Sequence, residues 1–384
     1  MDSFLLYLGI ATLLFWVAIG IELGLGNRSI RFLRDLPLPA EPPSRRVSII
    51  IPARNEERNI EEALQSVLRL EYGNREIIVV NDRSTDRTGA ILGRIARAYP
   101  ALRVVHLTEL PPGWLGKNHA LHCGAQQASG DLLLFTDADV VMQPSGVSRA
   151  VGYMVGHRLD HLAIAPDVRM PGVLLELFVG AFGIFFSLYA RPWRAKDPKS
   201  KRYIGIGAFN LVRRDVYQAV GGHQAIAMRP DDDIKLGKLI KKHAYRQEFL
   251  FGTQMMHVEW YASLGELIDG LMKNAFAGVE YNVSAIIGAS LAQFLLNVWP
   301  VFGILLTHGA TRVINVFVVL VIIAVCADTA KFHNVIRWFG IGFPIATLLF
   351  IYIMWRAMLT AIFSQSVHWR GTRYSLAEMK ANKV

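Results

Sequence analysis

Four long apolar stretches, one near the start of the chain and three beyond residue 282, set the terms on which the rest can fold. Residues 4 to 25 are apolar apart from Glu22, and later runs cover roughly Ile286 to Leu306, Val313 to Ala327 and Phe339 to Ala361. Runs of about 20 apolar residues match the thickness of a bilayer. They hold the excess behind a mean hydropathy of +0.30 and 52% hydrophobic residues, which is too oily for an ordinary soluble protein. The first run has neither a basic segment before it nor a small-residue cleavage site after it, so residues 1–27 read as a retained anchor. Arg28, Arg31, Arg34, Arg45 and Arg46 follow in a basic, Pro-rich linker (28–46, with Pro37, Pro39, Pro42 and Pro43). Basic flanks stay cytoplasmic, which puts the middle of the chain in the cytoplasm, as at a bacterial inner membrane.

The net charge of +10 is spread along the chain and lies near the apolar segments. Attraction to anionic lipid explains it better than nucleic acid, for which no finger spacing, aromatic motif or basic helix is present. The two cysteines, Cys123 and Cys326, are far apart, so neither a disulfide framework nor a cysteine metal site is expected.

The middle, residues 47–282, alternates strand and helix signals. Val47 to Ile51 is a β-branched run ending at Pro52. The segment after it carries Ile60, Ala63, Leu64, Val67 and Leu68 at helical spacing. Ile77 to Val80, Val104-Val105 and Leu132 to Phe135 are further strands, with helices near 89–98 and up to about 128 between them. Such alternation argues for an α/β fold with a parallel sheet, in which ligands bind beyond the carboxyl ends of the strands. Asn55, Asp82, Asp137 and Asp139 all fall there.

Thr136-Asp137-Ala138-Asp139 places two carboxylates just past a buried strand, where residues two apart leave on the same side and can share a hard cation. The same pattern also suits a solvated turn. Pro52-Ala53-Arg54-Asn55-Glu56-Glu57 has no glycine and is not a dinucleotide loop. Asp82 is placed to hydrogen-bond a uracil or ribose, or, with Ser84 and Thr85, to cap the next helix. Lys117, in Gly113-Trp114-Leu115-Gly116-Lys117, opens a helix without the spacing of a phosphate loop. It would either hold a diphosphate or remain solvated. Val173 to Ala190, followed by Arg191, Arg194, Lys196, Lys199, Lys201 and Arg202, reads as a helix in the membrane interface or as a core helix with a basic loop. Gly205 to Asn210 is rich in small residues, which suit close approach of a substrate or a tight turn. Asp231-Asp232-Asp233 exceeds what helix capping needs, and a carboxylate set against others keeps a basicity useful for taking a hydroxyl proton.

Taken in order, Ile51 to Glu56, Asn81 to Asp86, Gly113 to Lys117, Thr136 to Asp139 and Asp232 to Leu236 resemble an inverting family 2 glycosyltransferase of GT-A fold. Within that family the chain is most similar to membrane-anchored enzymes that glycosylate lipids, in the ceramide glucosyltransferase-like, hopanoid-associated and carotenoid-associated groups. The tail Val367 to Tyr374 shares that likeness. The resemblance implies that Pro52, Ala53, Asn55, Glu56, Asp82, Lys117, Asp137 and Ala138 bind the nucleotide sugar, a UDP-sugar, and that Asp139 with Asp137 binds Mg2+ or Mn2+. It makes Asp233 the catalytic base, with Asp232 beside it. Gly207, Ala208, Phe209, His257, Trp260, Trp369 and Arg370 are candidates for the acceptor side, although His257 and Trp260 equally suit structural roles, and Lys273-Asn274 is a candidate basic function. The division expected is an anchor, the linker, a cytoplasmic catalytic domain over 47–282, a membrane region of two or three helices over 283–364, and a basic tail over 365–384. The acceptor implied is a membrane lipid.

A Gln-x-x-Arg-Trp string, which accompanies processive polysaccharide synthases, does not occur. A polyprenyl-phosphate sugar transferase, a polysaccharide synthase and a catalytically silent nucleotide-sugar-binding protein remain the alternatives. A transporter would need paired charges inside several spans, and only Glu22, Asp328 and Arg356 lie near span edges.

Overall fold

The computed structural model describes residues 2–39 and 44–384; Pro42 and Pro43 of the expected linker lie outside the described residues. The chain divides into two compact units. One holds Ile30–Asp167, Pro192–Glu259 and His368–Val384, and the other Met1–Ser29, Val168–Arg191 and Trp260–Val367.

The first unit is built on β1 (Val47–Ala53), buried along nearly its whole length. An unbroken apolar run of this kind suits a strand covered on both faces. β2 (Arg75–Asp82) pairs with it in parallel on one side, and β3 (Leu102–Leu107) continues beyond β2. β4 (Leu132–Phe135) pairs in parallel on the other side of β1. Next come β5 (Val140–Met142), β6 (His161–Ala165), β7 (Asp167–Arg169), β8 (Asn210–Arg213), β9 (Gln247–Phe251) and β10 (Met256–Glu259). The main sheet has the order β3-β2-β1-β4-β8-β6-β9, with β8 antiparallel to both of its neighbours. β5 pairs antiparallel with β10 in a smaller sheet. Strand order reverses between β1 and β4, so the loops leaving their carboxyl ends diverge around a crevice. The helix Gly116–Gln127 covers the sheet there. Its Ala120, Leu121 and Ala125 join Ile50, Ile78, Val80 and Phe135 in one buried cluster, and each large side chain so buried contributes about 1.5–3 kcal/mol.

The glycines around residue 205 bring backbone against backbone. A Cβ at Gly205 would stand 1.9 Å from the carbonyl oxygen of Asp233, and one at Gly237 1.8 Å from that of Ile204. The segment before Gly207 therefore lies directly on the helix Asp232–Lys242. Gln247 clamps both: its Oε1 accepts from the Ile204 N–H at 2.8 Å, and its Nε2 donates to the Gly237 carbonyl at 2.9 Å.

The end of the chain, expected to be a separate basic tail, groups with this unit. β11 (Ser366–Trp369) and β12 (Thr372–Ser375) form a hairpin, followed by the helix Leu376–Ala381. Leu376 and Met379 are buried, and Asn382 accepts from the Met228 N–H at 2.9 Å and donates to the Ala225 carbonyl at 3.1 Å. Apolar contacts, which net charge does not report, decide the placement.

Among the described residues five helices are long and apolar enough to cross a membrane: Ser3–Arg28, Val173–Arg194, Val283–Leu306, Gly309–His333 and Phe339–Ser364, all but the last turn of Val173–Arg194 in the second unit. Gly309–His333 runs well past the expected Val313–Ala327, and polar donors near its start find carbonyl acceptors on neighbouring turns. Asn315 donates to the Thr311 carbonyl at 2.9 Å and Arg312 to the Ile304 carbonyl at 2.9 Å. Val283–Leu306 is broken by a π turn at Phe294–Val298, just before Pro300, whose missing N–H interrupts regular bonding. The anchor meets the helix Gly309–His333 through Arg28, which donates twice to Asp328 at 2.7 Å. Residues 260–282, expected in the catalytic domain, group here because Leu267 and Leu271 pack with Phe178, Val179 and Ile353.

Gly237→Ala is expected to destabilise the protein by about 1–3 kcal/mol, the usual cost of overpacking, and to push Asp233 out of place. Denaturant unfolding of the detergent-solubilised variant checks the first, and a loss of activity larger than the loss of folded protein checks the second.

Candidate active site

The candidate residues stand at the carboxyl ends of β1, β2 and β4 and at the starts of the helices Gly116–Gln127 and Asp232–Lys242. From β1, Arg54 donates to the Asp82 carbonyl at 2.9 Å. Asn55, with the left-handed φ of 53° that Asn tolerates, accepts at its Oδ1 from the Thr85 N–H at 2.8 Å. The Asn55 and Glu56 N–H groups in turn donate to Ser84 Oγ at 3.0 Å and Thr88 Oγ1 at 2.8 Å. Pro52 and Ala53 complete the strand end, and Ala53 is buried. Asn55 thus fastens the β1 and β2 loops together. Asp82 is buried, and its carboxylate accepts from Arg83 Nε at 2.7 Å and Nη2 at 3.0 Å.

The acidic groups lie on the other side of the β1–β4 boundary. Thr136 is fixed by donating to the Ala208 carbonyl at 2.7 Å. Asp137 then reaches Lys117, whose Nζ lies 2.8 Å from Asp137 Oδ1 and 3.5 Å from Asp232 Oδ1. Burial alone would push the Lys117 ammonium down. The charges of Asp137, Asp232 and Asp233 outweigh it and hold the lysine firmly protonated. Asp233 accepts from the Gly207 N–H at 2.7 Å and from the Ile234 N–H at 2.8 Å. It keeps part of its surface open to the crevice, yet enclosure by protein and the neighbouring Asp232 push its proton affinity up to about 7, against the pull of Lys117. At that value a carboxylate still ionises near neutral pH and has become a competent base.

The three consecutive aspartates divide their work. Asp231 is paired with the buried Arg229, Oδ1 to Nε at 2.9 Å and Oδ2 to Nη2 at 3.0 Å, with Lys235 at 3.5 Å. Asp231 is therefore structural, and only Asp232 and Asp233 line the crevice. Gly207 lines it too, and a Cβ there would stand 2.7 Å from Asp137 Oδ2.

Asp139 Oδ1 is buried and accepts no hydrogen bond. Burial, then the charges of Asp137 and Glu56, raise the Asp139 proton affinity to about 7. Carboxylates gathered this way with an idle oxygen suit a divalent cation. Among the described residues no three acidic, His or Cys groups form a ready-made cage. Asp139 and Asp137 would supply one or two ligands to such an ion, leaving the rest to water or a bound ligand.

The remaining expected residues are scattered. Phe209 is fully buried core, and Ala208 acts through its carbonyl on Thr136. His257 sits in β10 of the globular unit. Trp260 belongs to the apolar unit, its ring 5.0 Å from that of Phe182. Lys273 and Asn274 lie on the helix Leu264–Ala275 of that unit. Sequence reasoning missed Arg54, Arg83 and Tyr374. Tyr374 is buried and its hydroxyl accepts from the Gly116 N–H at 3.2 Å. The alternation of Val367, Trp369, Thr372 and Tyr374 around Arg370-Gly371 was the available signal for that hairpin.

Residues 48–221 match the sequence profile described as Glycosyl transferase family 2. Those residues form a glycosyltransferase domain of that kind, and the chain is a glycosyltransferase. Curated relatives of this glycosyltransferase include the 4,4'-diaponeurosporenoate glycosyltransferases of Staphylococcus aureus strains RF122 and USA300. Each is 24% identical over 348 residues, covering 86% of this chain and 89% of the relative. Among solved structures, a mannosyltransferase from Pyrobaculum calidifontis in complex with GDP-Man and Mn2+ superposes with a TM-score of 0.59. It is 17% identical, over 94% of this chain and 99% of that one. That likeness shows the GT-A fold of the glycosyltransferase.

Arg229→Met leaves Asp231 buried without its bidentate partner and is expected to cost about 3–5 kcal/mol of stability. Asp233→Asn is expected to leave the unfolding midpoint no lower than wild type. Urea unfolding of the two variants side by side measures the difference.

Proposed function

We propose that this glycosyltransferase moves a sugar from a nucleoside diphosphate sugar onto a hydroxyl of a membrane lipid, with inversion at the anomeric carbon. The observation that carries the reading is the approach to Asp137 from two sides of a basic carboxylate, Asp233, and of Asp139, whose buried Oδ1 accepts no hydrogen bond. Asp233 takes the acceptor's proton while the acceptor oxygen attacks the anomeric carbon. The bond to the diphosphate breaks with its electron pair, and the nucleoside diphosphate leaves. Mg2+ or Mn2+ held by Asp139 and Asp137 would supply Lewis-acid stabilisation of the leaving diphosphate. Lys117 holds Asp137 and Asp232 together and keeps Asp233 ionisable. Gly207 fixes the Asp233 carboxyl through its N–H.

A lipid acceptor is supported by the five apolar helices and by the relatives' names, which describe glycosylation of 4,4'-diaponeurosporenoate. An acceptor carboxylate would need no base, so the arrangement around Asp233 favours a hydroxyl. UDP rests on the family resemblance, and the solved neighbour holds GDP-Man, so both donor classes belong in the assay.

Topology follows from chain parity. Glu56 and Arg370 share one globular unit, ion-paired at 2.7 Å, so the segments that flank the apolar helices occupy one side of the membrane. Val173–Ala190 then makes no net crossing. Between Glu259 and His368 the crossings are even in number, so one of the three helices there turns back. Phe339–Gly342 packs beside the middle of a spanning helix: a Cβ on Gly340 would stand 2.9 Å from Cys326 Cβ and from Ile323 Cα. The Phe343 ring lies 5.7 Å from that of Trp16, midway along the anchor. We infer that Phe339–Ser364 is re-entrant, starting at mid-depth and returning to the cytoplasmic side, a reading these contacts support.

Membranes carrying the protein, given Mg2+ or Mn2+ and labelled UDP- and GDP-sugars, are expected to transfer label into the organic-extractable lipid fraction, and Asp139→Ala and Asp233→Asn to abolish it. Label in insoluble polymer would contradict the reading. Because Asp233 acts ionised, kcat/KM is expected to be flat above about pH 7 and to fall about tenfold per unit below it, measured on the same assay at saturating metal. Cysteines placed at His308 and at Lys383 are expected to label from opposite sides of sealed vesicles.

A further inference from the structure

We propose that the cavity at the opposite end of β4 from the crevice is a second binding site, for a phosphate ester, apart from the site of sugar transfer. The cavity has a volume of about 710 Å3 and is lined by residues of the globular unit alone. That volume lies within the usual range of small-ligand sites. β4 and β8 run between the two places. Leu132 and Arg213, which pair in register, stand at the cavity, and Phe135 and Asn210, which pair at the other end of the same strands, line the crevice. The cavity is therefore a separate opening, and its reading does not depend on that of the donor.

Its walls are fixed by backbone contacts. At the end of the helix Gly146–Gly156, Leu159 is buried and its N–H donates to the Met154 carbonyl at 2.9 Å. This closes the helix end with Arg158 in the left-handed conformation, φ 50°, at the rim. The Arg214 N–H donates to the Asp131 carbonyl at 2.9 Å. A Cβ at Gly130 would stand 2.6 Å from Ser48 Oγ, so the turn before β4 is pressed against β1. Leu132, Met154 and Leu159 are buried and supply an apolar floor.

Charge decides what the cavity takes. Arg213 is neutralised by Asp160 at 3.0 Å and Asp215 at 2.5 Å. Among the described residues the guanidiniums of Arg45, Arg158 and Arg214 have no hydrogen-bond or ion-pair partner. Asp131 is the remaining carboxylate of the lining, and it accepts from the Arg46 N–H at 3.0 Å. Three cations thus face one carboxylate around an apolar floor. Guanidinium N–H groups match the oxygens of a phosphate, and the floor suits an uncharged, apolar part of the same molecule. A soluble phosphate ester and the headgroup of an anionic phospholipid share that chemistry.

The test uses the full-length protein in detergent with EDTA, which keeps divalent cations out of the crevice. Phenyl phosphate is titrated calorimetrically, and retention of phosphatidylglycerol against phosphatidylcholine is counted by native mass spectrometry. Wild type is compared with Arg158→Ser/Arg214→Ser, with Arg158→Lys/Arg214→Lys, which keeps the charge, and with Arg97→Ser/Arg103→Ser, which removes the same charge elsewhere in the unit. The serine pair in the cavity is expected to bind phenyl phosphate or phosphatidylglycerol at least about tenfold more weakly, the scale of lost charge-assisted hydrogen bonds. The lysine pair should recover part of that loss, and the distant pair should change less than about twofold. Loss of phenyl phosphate assigns a soluble ligand, and loss confined to phosphatidylglycerol assigns a lipid headgroup. Equal binding by wild type and the cavity serine pair overturns the inference. An equal loss in the distant pair also overturns it, since that is the mark of general surface charge.

Discussion

Lys117 is the interaction on which the site depends. Asp137 comes from the loop after β4 and Asp232 and Asp233 from the start of a helix nearly a hundred residues later, and like charges in a poorly solvated crevice repel. A single ammonium, 2.8 Å from Asp137 and 3.5 Å from Asp232, makes their convergence possible. It comes from the helix Gly116–Gln127, whose other face forms part of the hydrophobic core. The lysine is thereby fixed by apolar packing and in turn fixes the acids. Removing it would leave the carboxylates to take up protons, and the base would be lost before any substrate arrived.

The crevice is accordingly divided. Its β1–β2 wall is held by neutral and cationic contacts: Asn55 to Thr85, Arg83 to Asp82, Arg370 to Glu56. Its β4 wall and the Asp232–Lys242 helix carry the surplus of negative charge. In the proposed reaction a phosphate-bearing donor and its cation would sit by Asp139, and the acceptor proton would pass to Asp233. Backbone contact through Gly205 and Gly237 makes the position of Asp233 a property of the fold rather than of a mobile side chain.

Much of this was legible in the sequence. The run Leu132–Phe135 marks its strand residue for residue, because a buried central strand has no polar interruption, and the acids after it followed from the strand end. The amphipathic helix at Ile60–Leu68 was equally plain. What the sequence did not reveal are partnerships between distant charges. Lys117 at a helix start reads as a phosphate ligand, and only the fold shows three aspartates around it. The aspartate triplet reads as one cluster, and only the burial of Arg229 separates Asp231 from the other two. The tail, basic by composition, docks through Leu376, Met379 and Tyr374, which local charge counting overlooks.

The central claim is that one carboxylate base and one leaving diphosphate work from opposite sides of a single anomeric carbon. The most direct measurement is the anomeric configuration of the lipid product, by its one-bond C1–H1 coupling in NMR, starting from an α-linked nucleotide sugar. A β-glycoside is the result expected from a single displacement with Asp233 as base. An α-glycoside would contradict it, since retention requires a second displacement or attack from the leaving group's own side.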